Sequence, residues 1–413
     1  MKAKVKLNEY THKAIKISGS KNSSLPIIAA SILCDEEVTI YNVPNIVDIN
    51  KLVSIIKKMG YTIIFHNNTI TVKETTIKQK KFHFKEIKQL RGSYYLIGAL
   101  IGKYHYSNFS FLYPGGCKFG NRPIDFHLKA FKTMNINVYT KKNKLFFKGY
   151  KNSIIHNLEY PSVGATINII LANCKSTKET IITNAAIEPE VIDLCNFINS
   201  MGAEILIKNR SIIIKGNEYF KKTKYTVMGD RIEAGTFLIL GAIHKGITIT
   251  NIEYNHISDI ISLLKTVGYN FIINKNNITL FRSNNTIFPF DITLSPYPGF
   301  PTDLGPLLCV LASQIKGQSS IKDLVYVERT SHINELKKMN IDICLDNGVI
   351  KINGKNNIIN NKVKSYDLRC SAALVLAASL SKSFSYIYDI DKLFRGYEQI
   401  QNKLNYLGIE FIY

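Results

Sequence analysis

Six times along this chain of 413 residues the same closing pattern returns: an amphipathic helix, a turn residue, then an alternating strand pair. The turn residues are Gly60, Asn135, Gly202, Gly268, Asn340 and Gly408, spaced about 66 to 75 residues apart. Gly and Asn are the residues that accept a left-handed backbone at a helix C-terminus. The period is too long for a solenoid and suits a small subdomain. Upstream of each turn lies a second, short helix that is apolar nearly all round: Ser24–Leu33, Tyr95–Ile101, Ala165–Ala172, Ala234–Leu240, Leu307–Ala312 and Ala372–Ala378. A helix of that kind belongs in a core. Strands such as Val38–Tyr41, Thr180–Thr183 and Thr248–Asn251 run between the two helices. The expected fold is therefore α/β, with six βαβαββ repeats, three to a domain, around buried helices. The expected domains are residues 21–228 and residues 1–20 plus 229–413. The segment Ala14–Ile17, read as the first strand, is expected to complete the C-terminal half.

Charged and small residues collect at the N-terminal ends of those six buried helices: Lys21-Asn22, Arg91-Gly92, Val163-Gly164, Asp230-Arg231, Thr302-Asp303 and Arg369-Cys370. Free backbone N–H groups and the helix dipole already favour anions there. The chain has only eight arginines among its 53 basic residues: Arg91, Arg122, Arg210, Arg231, Arg282, Arg329, Arg369 and Arg395. In so lysine-rich a sequence, an arginine marks a position that needs the planar fork of carboxylate or phosphate recognition. Arg122, Arg329 and Arg395 fall just before the second helix of their repeats. Arg231 has a structural alternative, pairing with Glu233, and Asp303 has one as a helix cap. Arg210 and Arg282 are expected on exposed hairpin strands.

The net charge of +22 comes mostly from lysine spread along the whole chain, so no nucleic-acid partner is expected. No apolar run approaches a bilayer span, and the first residues lack a signal peptide's apolar core. A cytoplasmic protein with no membrane partner is expected. Seven scattered cysteines without a C-x-x-C pair, and nine histidines without ligand spacing, argue against disulfides and against a metal.

One cysteine stands apart. Cys117 lies in Pro114-Gly-Gly-Cys-Lys-Phe-Gly120, where three glycines and a proline exclude a helix or central strand. Lys118 and Arg122 would favour its thiolate. An arbitrary cysteine is more often a small buried hydrophobe, but the loop context reverses that reading.

These residues resemble the UDP-N-acetylglucosamine enolpyruvyl transferase family across essentially the whole chain. The likeness rests on Gly19–Pro26, the Cys117 loop with Arg122–Asp125, Pro161–Thr166, Asp230–Thr236, Phe300–Asp303 and Arg395–Glu398. It implies a two-domain inside-out α/β barrel whose halves close on the sugar nucleotide. It also implies transfer of the enolpyruvyl group of phosphoenolpyruvate to the sugar 3-hydroxyl, without a cofactor. By that resemblance Cys117 protonates the donor's methylene carbon and Asp303 takes the hydroxyl proton. Lys21, Arg122 and Arg395 grip the phosphate. Arg91, Arg329 and Arg369 face the carboxylate and the intermediate, and Asn22 lies beside the donor. Arg122, Pro123, Ile124, Asp125 and Phe126 cradle uridine; Ser162, Val163 and Gly164 bind the diphosphate. Asn22, Arg91, Asp303 and Val325 complete the sugar-nucleotide site. The expected partners are these two small molecules, acting on a monomer.

Three departures from the family pattern are expected to alter local geometry: Leu304-Gly305-Pro306 after Asp303, Glu328 beside Arg329, and Tyr160 where a lysine occurs. The alternatives are the sister enzyme 5-enolpyruvylshikimate-3-phosphate synthase, which lacks the cysteine loop, and a non-catalytic basic scaffold that binds RNA.

Overall fold

The computed structural model describes residues 1–73, 80–104, 106–115, 124–275, 277–281 and 286–413. These residues form two compact units. One comprises Met1–Ser18 with Gly229–Tyr413, and the other comprises the described residues between Gly19 and Met228. We call them the C-terminal and N-terminal units. Each has its own apolar core.

Among the described residues each repeat contributes two α-helices. In chain order they are α1 (Lys21–Ser31), α2 (Val47–Met59), α3 (Tyr95–Lys103), α4 (Asp125–Thr133), α5 (Val163–Asn173), α6 (Pro189–Ser200), α7 (Arg231–Ile243), α8 (Ser258–Val267), α9 (Gly305–Ser313), α10 (Ser331–Lys338), α11 (Leu368–Ala378) and α12 (Ile400–Tyr406). The odd-numbered helices are the apolar ones and are buried almost throughout. They pack on one another within each unit: α3 touches α1 and α5, and α9 touches α7 and α11. The even-numbered helices are amphipathic. In α2, Ile49, Leu52, Ile55, Ile56 and Met59 are buried while Lys57 and Lys58 are exposed. The turn residues one or two positions past the even-numbered helices all have positive φ, from 64° at Asn135 to 117° at Gly202, which is the reason Gly and Asn recur there.

Close approach of two inner helices depends on glycine. A Cβ on Gly98 would lie 2.4 Å from Asn168 Oδ1, and one on Gly102 would lie 2.1 Å from the Leu171 carbonyl oxygen. Four-residue spacing puts both on the face of α3 turned to α5.

Each repeat has a four-stranded sheet, with a parallel pair at one edge and an antiparallel pair at the other. In the third repeat Ile155–Asn157 runs parallel to Thr180–Thr183, which is antiparallel to Ser211–Lys215, itself paired with Glu204–Lys208. Two features depart from simple succession. Ala14–Lys16 is not the first strand, because Lys2–Leu7 precedes it. Lys2–Leu7 inserts between Ser385–Tyr388 and Ile409–Ile412 and supplies the strand that the sixth repeat lacks at the chain's end. Ala14–Lys16 then pairs in parallel with Ile247–Thr250, completing the fourth repeat as expected. Thr223–Thr226 correspondingly pairs with Val38–Tyr41 and completes the first.

Candidate active site

In the C-terminal unit two of the expected arginines, Arg329 and Arg369, gather around Asp303. The residue sits in a 3-10 turn, Thr302–Leu304, that leads into α9, and Pro306 occupies the first turn of that helix. Proline suits this position because its missing N–H would have no helical partner there. Leu304 is buried against Gly235 of α7, where a Cβ would lie 2.6 Å from Leu304 Cδ1. The Leu304-Gly305-Pro306 departure thus builds a helix start and keeps Asp303 in place.

Both carboxylate oxygens of Asp303 are held. Arg329 Nη1 lies 2.9 Å from Oδ1 and Arg369 Nη2 lies 3.0 Å from Oδ2. The two guanidinium groups are buried, whereas the carboxylate keeps 25% of its side-chain surface open. A simple helix cap would not be matched in this way. Two guanidinium groups against one carboxylate leave a net positive charge, which favours the approach of an anion.

Each arginine is fixed by its surroundings. Arg329 Nη1 also donates to the Thr302 carbonyl at 2.7 Å, and its guanidinium lies 4.9 Å from the Tyr326 ring centroid. Glu328 is exposed, and the fork of Arg329 is turned to Asp303 and Thr302. Arg369 stands in the first turn of α11, capped by Asp367, which accepts from the Arg369 and Cys370 amides at 2.8 and 3.0 Å and from the Ser331 hydroxyl at 2.9 Å. Burial works against the charge of Arg369, but Asp303 and Tyr397 more than offset it and hold the guanidinium firmly protonated. Its Nη1 donates to the Tyr397 hydroxyl at 3.3 Å.

Asp323 joins the Asp303 turn to the next loop. Its Oδ1 accepts from the Val325 and Tyr326 amides at 2.8 and 2.9 Å, and its Oδ2 accepts from the Thr302 hydroxyl. Val325, expected in the sugar site, is therefore set by the same carboxylate that braces Thr302. Arg395 ends the 3-10 turn Ile390–Arg395 and is half-buried. Glu233, the partner offered by the alternative reading of Arg231, is buried against Lys403 and the Ser18 amide and hydroxyl.

The N-terminal unit holds a second cluster. Lys21 and Asn22 open α1, with the Ser20 side chain accepting from the Ser23 amide. The buried Asp193 of α6 accepts from the Ser23 hydroxyl, from the Tyr225 hydroxyl at 2.5 Å and from the Met228 amide at 3.3 Å. It ties the start of α1 to the segment that leaves this unit.

Arg91 begins a 3-10 turn, Arg91–Tyr94, before α3, and its guanidinium lies 5.7 Å from the Tyr94 ring centroid. Tyr94 in turn meets His127 edge to face at 4.8 Å. A Cβ on Gly164 would lie 2.8 Å from both His127 Cε1 and Tyr94 Oη, so only glycine fits there. Arg91, the Asp125–His127 turn and Gly164 are thereby brought together around His127. The proton position on that imidazole follows from a chain of donors. The Gly98 amide can only donate, and it does so to Asn168 Oδ1 at 2.9 Å, which turns Asn168 Nδ2 toward His127 Nδ1 at 2.8 Å. His127 keeps its proton on Nε2, and burial, then the Arg91 charge, hold its pKa down at about 3.

The other expected contacts are placed as follows. Asp125 is exposed and Phe126 half-buried at the start of α4, while Ile124 is 2% exposed with its side chain in the core. Ser162 caps α5 by accepting from the Ala165 amide at 3.3 Å, and Val163 and Gly164 open that helix half-buried. Tyr160 is exposed. Arg210 is a correction: it lies in the turn between two strands, half-buried, and donates to the Ala185 carbonyl at 3.3 Å. Cys117, Lys118, Arg122, Pro123 and Arg282 lie outside the described residues.

Five of the described cysteines are buried and Cys344 is exposed. Burial pushes the Cys174, Cys195 and Cys370 thiols up to about 12, far from thiolate. Among the described residues no group of His, Cys, Asp and Glu could hold a metal ion, and no helix is long and apolar enough to cross a membrane.

Sequence reasoning missed Thr236, Asp323, Tyr397, His127, Asn168 and Asp193. The available signal was a polar residue inside an otherwise apolar helix, as at Thr236 and Asn168.

The fold has counterparts among solved structures. The enolpyruvyl transferase NikO from Streptomyces tendae superposes with a TM-score of 0.91 over 100% of this chain and 98% of that one, at 20% identity. EPSP synthase from Acinetobacter baumannii gives a TM-score of 0.77 over 100% of both chains, at 16% identity. The fold is that of the enolpyruvyl transferases. The chain belongs to the EPSP synthase (3-phosphoshikimate 1-carboxyvinyltransferase) family, whose pattern matches residues 5–404. It is 38% identical over 407 residues to the UDP-N-acetylglucosamine 1-carboxyvinyltransferase of Halothermothrix orenii, covering 96% of this chain and 95% of that one. With the protein of the same name from Streptococcus pneumoniae, strain Hungary19A-6, the identity is 37% over 402 residues, with the same coverage.

Proposed function

We propose that this protein transfers the enolpyruvyl group of phosphoenolpyruvate to the 3-hydroxyl of UDP-N-acetylglucosamine, releasing phosphate at the opening step of peptidoglycan precursor synthesis. Kinship over nearly the whole chain with carboxyvinyltransferases of that name supports the choice of acceptor. The observation that carries the chemistry is Asp303, a partly open carboxylate held on both oxygens by buried arginines.

The reaction is an addition followed by an elimination. Cys117 delivers a proton to the methylene carbon, the adjacent carbon becomes electrophilic, and the sugar oxygen attacks it as Asp303 takes the hydroxyl proton. The tetrahedral adduct then returns a proton from its new methyl group to the Cys117 thiolate while the carbon–oxygen bond to phosphate breaks and its electrons leave with the phosphate. Lys21, Arg122 and Arg395 stabilise the departing phosphate; Arg91, Arg329 and Arg369 stabilise the carboxylate and the adduct. Asn22 lies beside both substrates. Arg122, Pro123, Ile124, Asp125 and Phe126 take uridine, Ser162, Val163 and Gly164 the diphosphate, and Val325 the sugar. Because Ile124 is buried, its part is through the backbone.

On this reading residues 21–228 form the domain with the cysteine loop and residues 1–20 plus 229–413 form the other. The enzyme works as a cytoplasmic monomer without metal, cofactor or nucleic acid. A phosphate-release assay with phosphoenolpyruvate and each acceptor tests the proposal. Release is expected with UDP-N-acetylglucosamine and not with shikimate 3-phosphate; the reverse pattern, or no release with either, would overturn it.

A further inference from the structure

A hydrogen-bond chain runs from the first turn of α7 to the base. Thr236 Oγ1 donates its single proton to the Ile232 carbonyl at 2.8 Å. Its 2.8 Å contact with the Tyr397 hydroxyl must then be one in which Tyr397 donates. The Tyr397 oxygen is left to accept, and it does so from Arg369 Nη1 at 3.3 Å, while Nη2 of the same guanidinium binds Asp303 Oδ2 at 3.0 Å. Every proton in the series has one direction. Thr236, Tyr397 and Arg369 are all buried, so none can exchange its partner for water without opening the core. α7, the segment of Tyr397 and α11 come from different parts of the chain, and their meeting fixes where one arginine can point.

We infer that Tyr397 and Thr236 are positioning residues that aim Arg369 at Asp303, so that the carboxylate is held in line for the hydroxyl proton. Neither touches substrate in this scheme. The inference rests on the proposed enolpyruvyl transfer, yet it also makes a structural claim that stands apart from activity. Tyr397 lies two residues beyond Arg395, just past the 3-10 turn that Arg395 ends, which links the expected phosphate grip to the orientation of the base.

The test compares Tyr397→Phe, Thr236→Val, Thr236→Ser and the Tyr397→Phe/Thr236→Val double variant with the parent enzyme. It uses steady-state phosphate release, thermal melting and a crystal structure of the Phe variant. Tyr397→Phe is expected to lower kcat roughly tenfold, the size of a lost hydrogen bond to a charged group, with KM for UDP-N-acetylglucosamine within about twofold. Thr236→Val should fall in the same direction, Thr236→Ser should recover most of the loss, and the double variant should be no slower than the worse single one. In the crystal Arg369 should have moved off Asp303. A kcat for Tyr397→Phe within twofold of the parent, additive losses in the double variant, or an Arg369 that stays on Asp303 would overturn the inference. Should the parent enzyme release no phosphate while Arg369 shifts as described, the proposed reaction fails and the positioning role stands. Melting guards against misfolding, and if the Phe variant does not fold, the Val and Ser pair at Thr236 decides.

Discussion

Asp303 and Arg369 are 66 positions apart in the chain, yet Arg369 Nη2 lies 3.0 Å from Asp303 Oδ2. The pair joins the start of α9 to the start of α11, two inner helices packed side by side. With Arg329 on the other oxygen, it makes the carboxylate a fixed acceptor rather than a solvated one.

Replacing Asp303 with Asn keeps the shape and one acceptor oxygen but cannot take a proton. Turnover is expected to fall on the order of 100- to 10,000-fold, with sugar-nucleotide binding retained by calorimetry. Near-normal phosphate release would remove Asp303 from the mechanism.

A phosphonate epoxide such as fosfomycin should alkylate Cys117 alone, faster with the sugar nucleotide bound. The buried thiols of Cys174, Cys195 and Cys370, raised to about 12, should stay unmodified, and a maleimide should add Cys344 to the reactive set. Peptide mass spectrometry reads both. An unmodified Cys117 after prolonged exposure to the epoxide would contradict the loop's assigned chemistry.

Stability should decline as the solution is acidified below about pH 6.5. His127 is buried with its pKa lowered to about 3, and burial brings His332 down to about 4, with Asp367 opposing and Arg329 reinforcing the shift. Both stay neutral in the folded protein while the unfolded chain binds protons near 6.5, so acid favours unfolding until the folded-state values are reached. At pH 5 the loss is about 2 kcal/mol for each histidine. Melting temperatures of the parent and of His127→Gln between pH 7.5 and 5 measure it; equal slopes for the two proteins would show that His127 does not contribute.

Asp323→Ala should loosen Thr302 and the Val325–Tyr326 amides together. The expected result is a KM for the sugar nucleotide raised about tenfold, with a stability loss of about 1–2 kcal/mol from the unpaired amides. An unchanged KM would separate the Val325 loop from substrate binding.

Gly102→Ala tests the helix contact. Its Cβ would meet the Leu171 carbonyl, a backbone atom that cannot rotate away, so α3 and α5 must separate. A loss of about 1–3 kcal/mol in denaturant unfolding is expected; a neutral result would mean the interface yields without cost.

The repeats and the apolar helices were legible because each depends on short-range rules. Gly or Asn after an amphipathic helix, and small apolar residues around a whole helix, state their own conformation and burial. The clustering of cationic residues at the inner-helix starts was legible for the same reason. Less visible was the role of Lys2–Leu7, since a short strand of alternating lysines carries no sign of which distant partners it will join. His127, Asp193, Asp323 and Tyr397 were unreadable in a stronger sense, because each acts through partners far along the chain.

The sequence alone determined six βαβαββ repeats, the burial of one helix in each, and the set of arginines spared in a lysine-rich chain. Only the tertiary structure decided that Arg329 and Arg369 close on Asp303, that Tyr397 stands behind Arg369, and that the first strand completes the last repeat. Backbone preference acts over a few residues, whereas the direction of a guanidinium is set by whichever donors and acceptors the packed helices bring within about 3 Å of it.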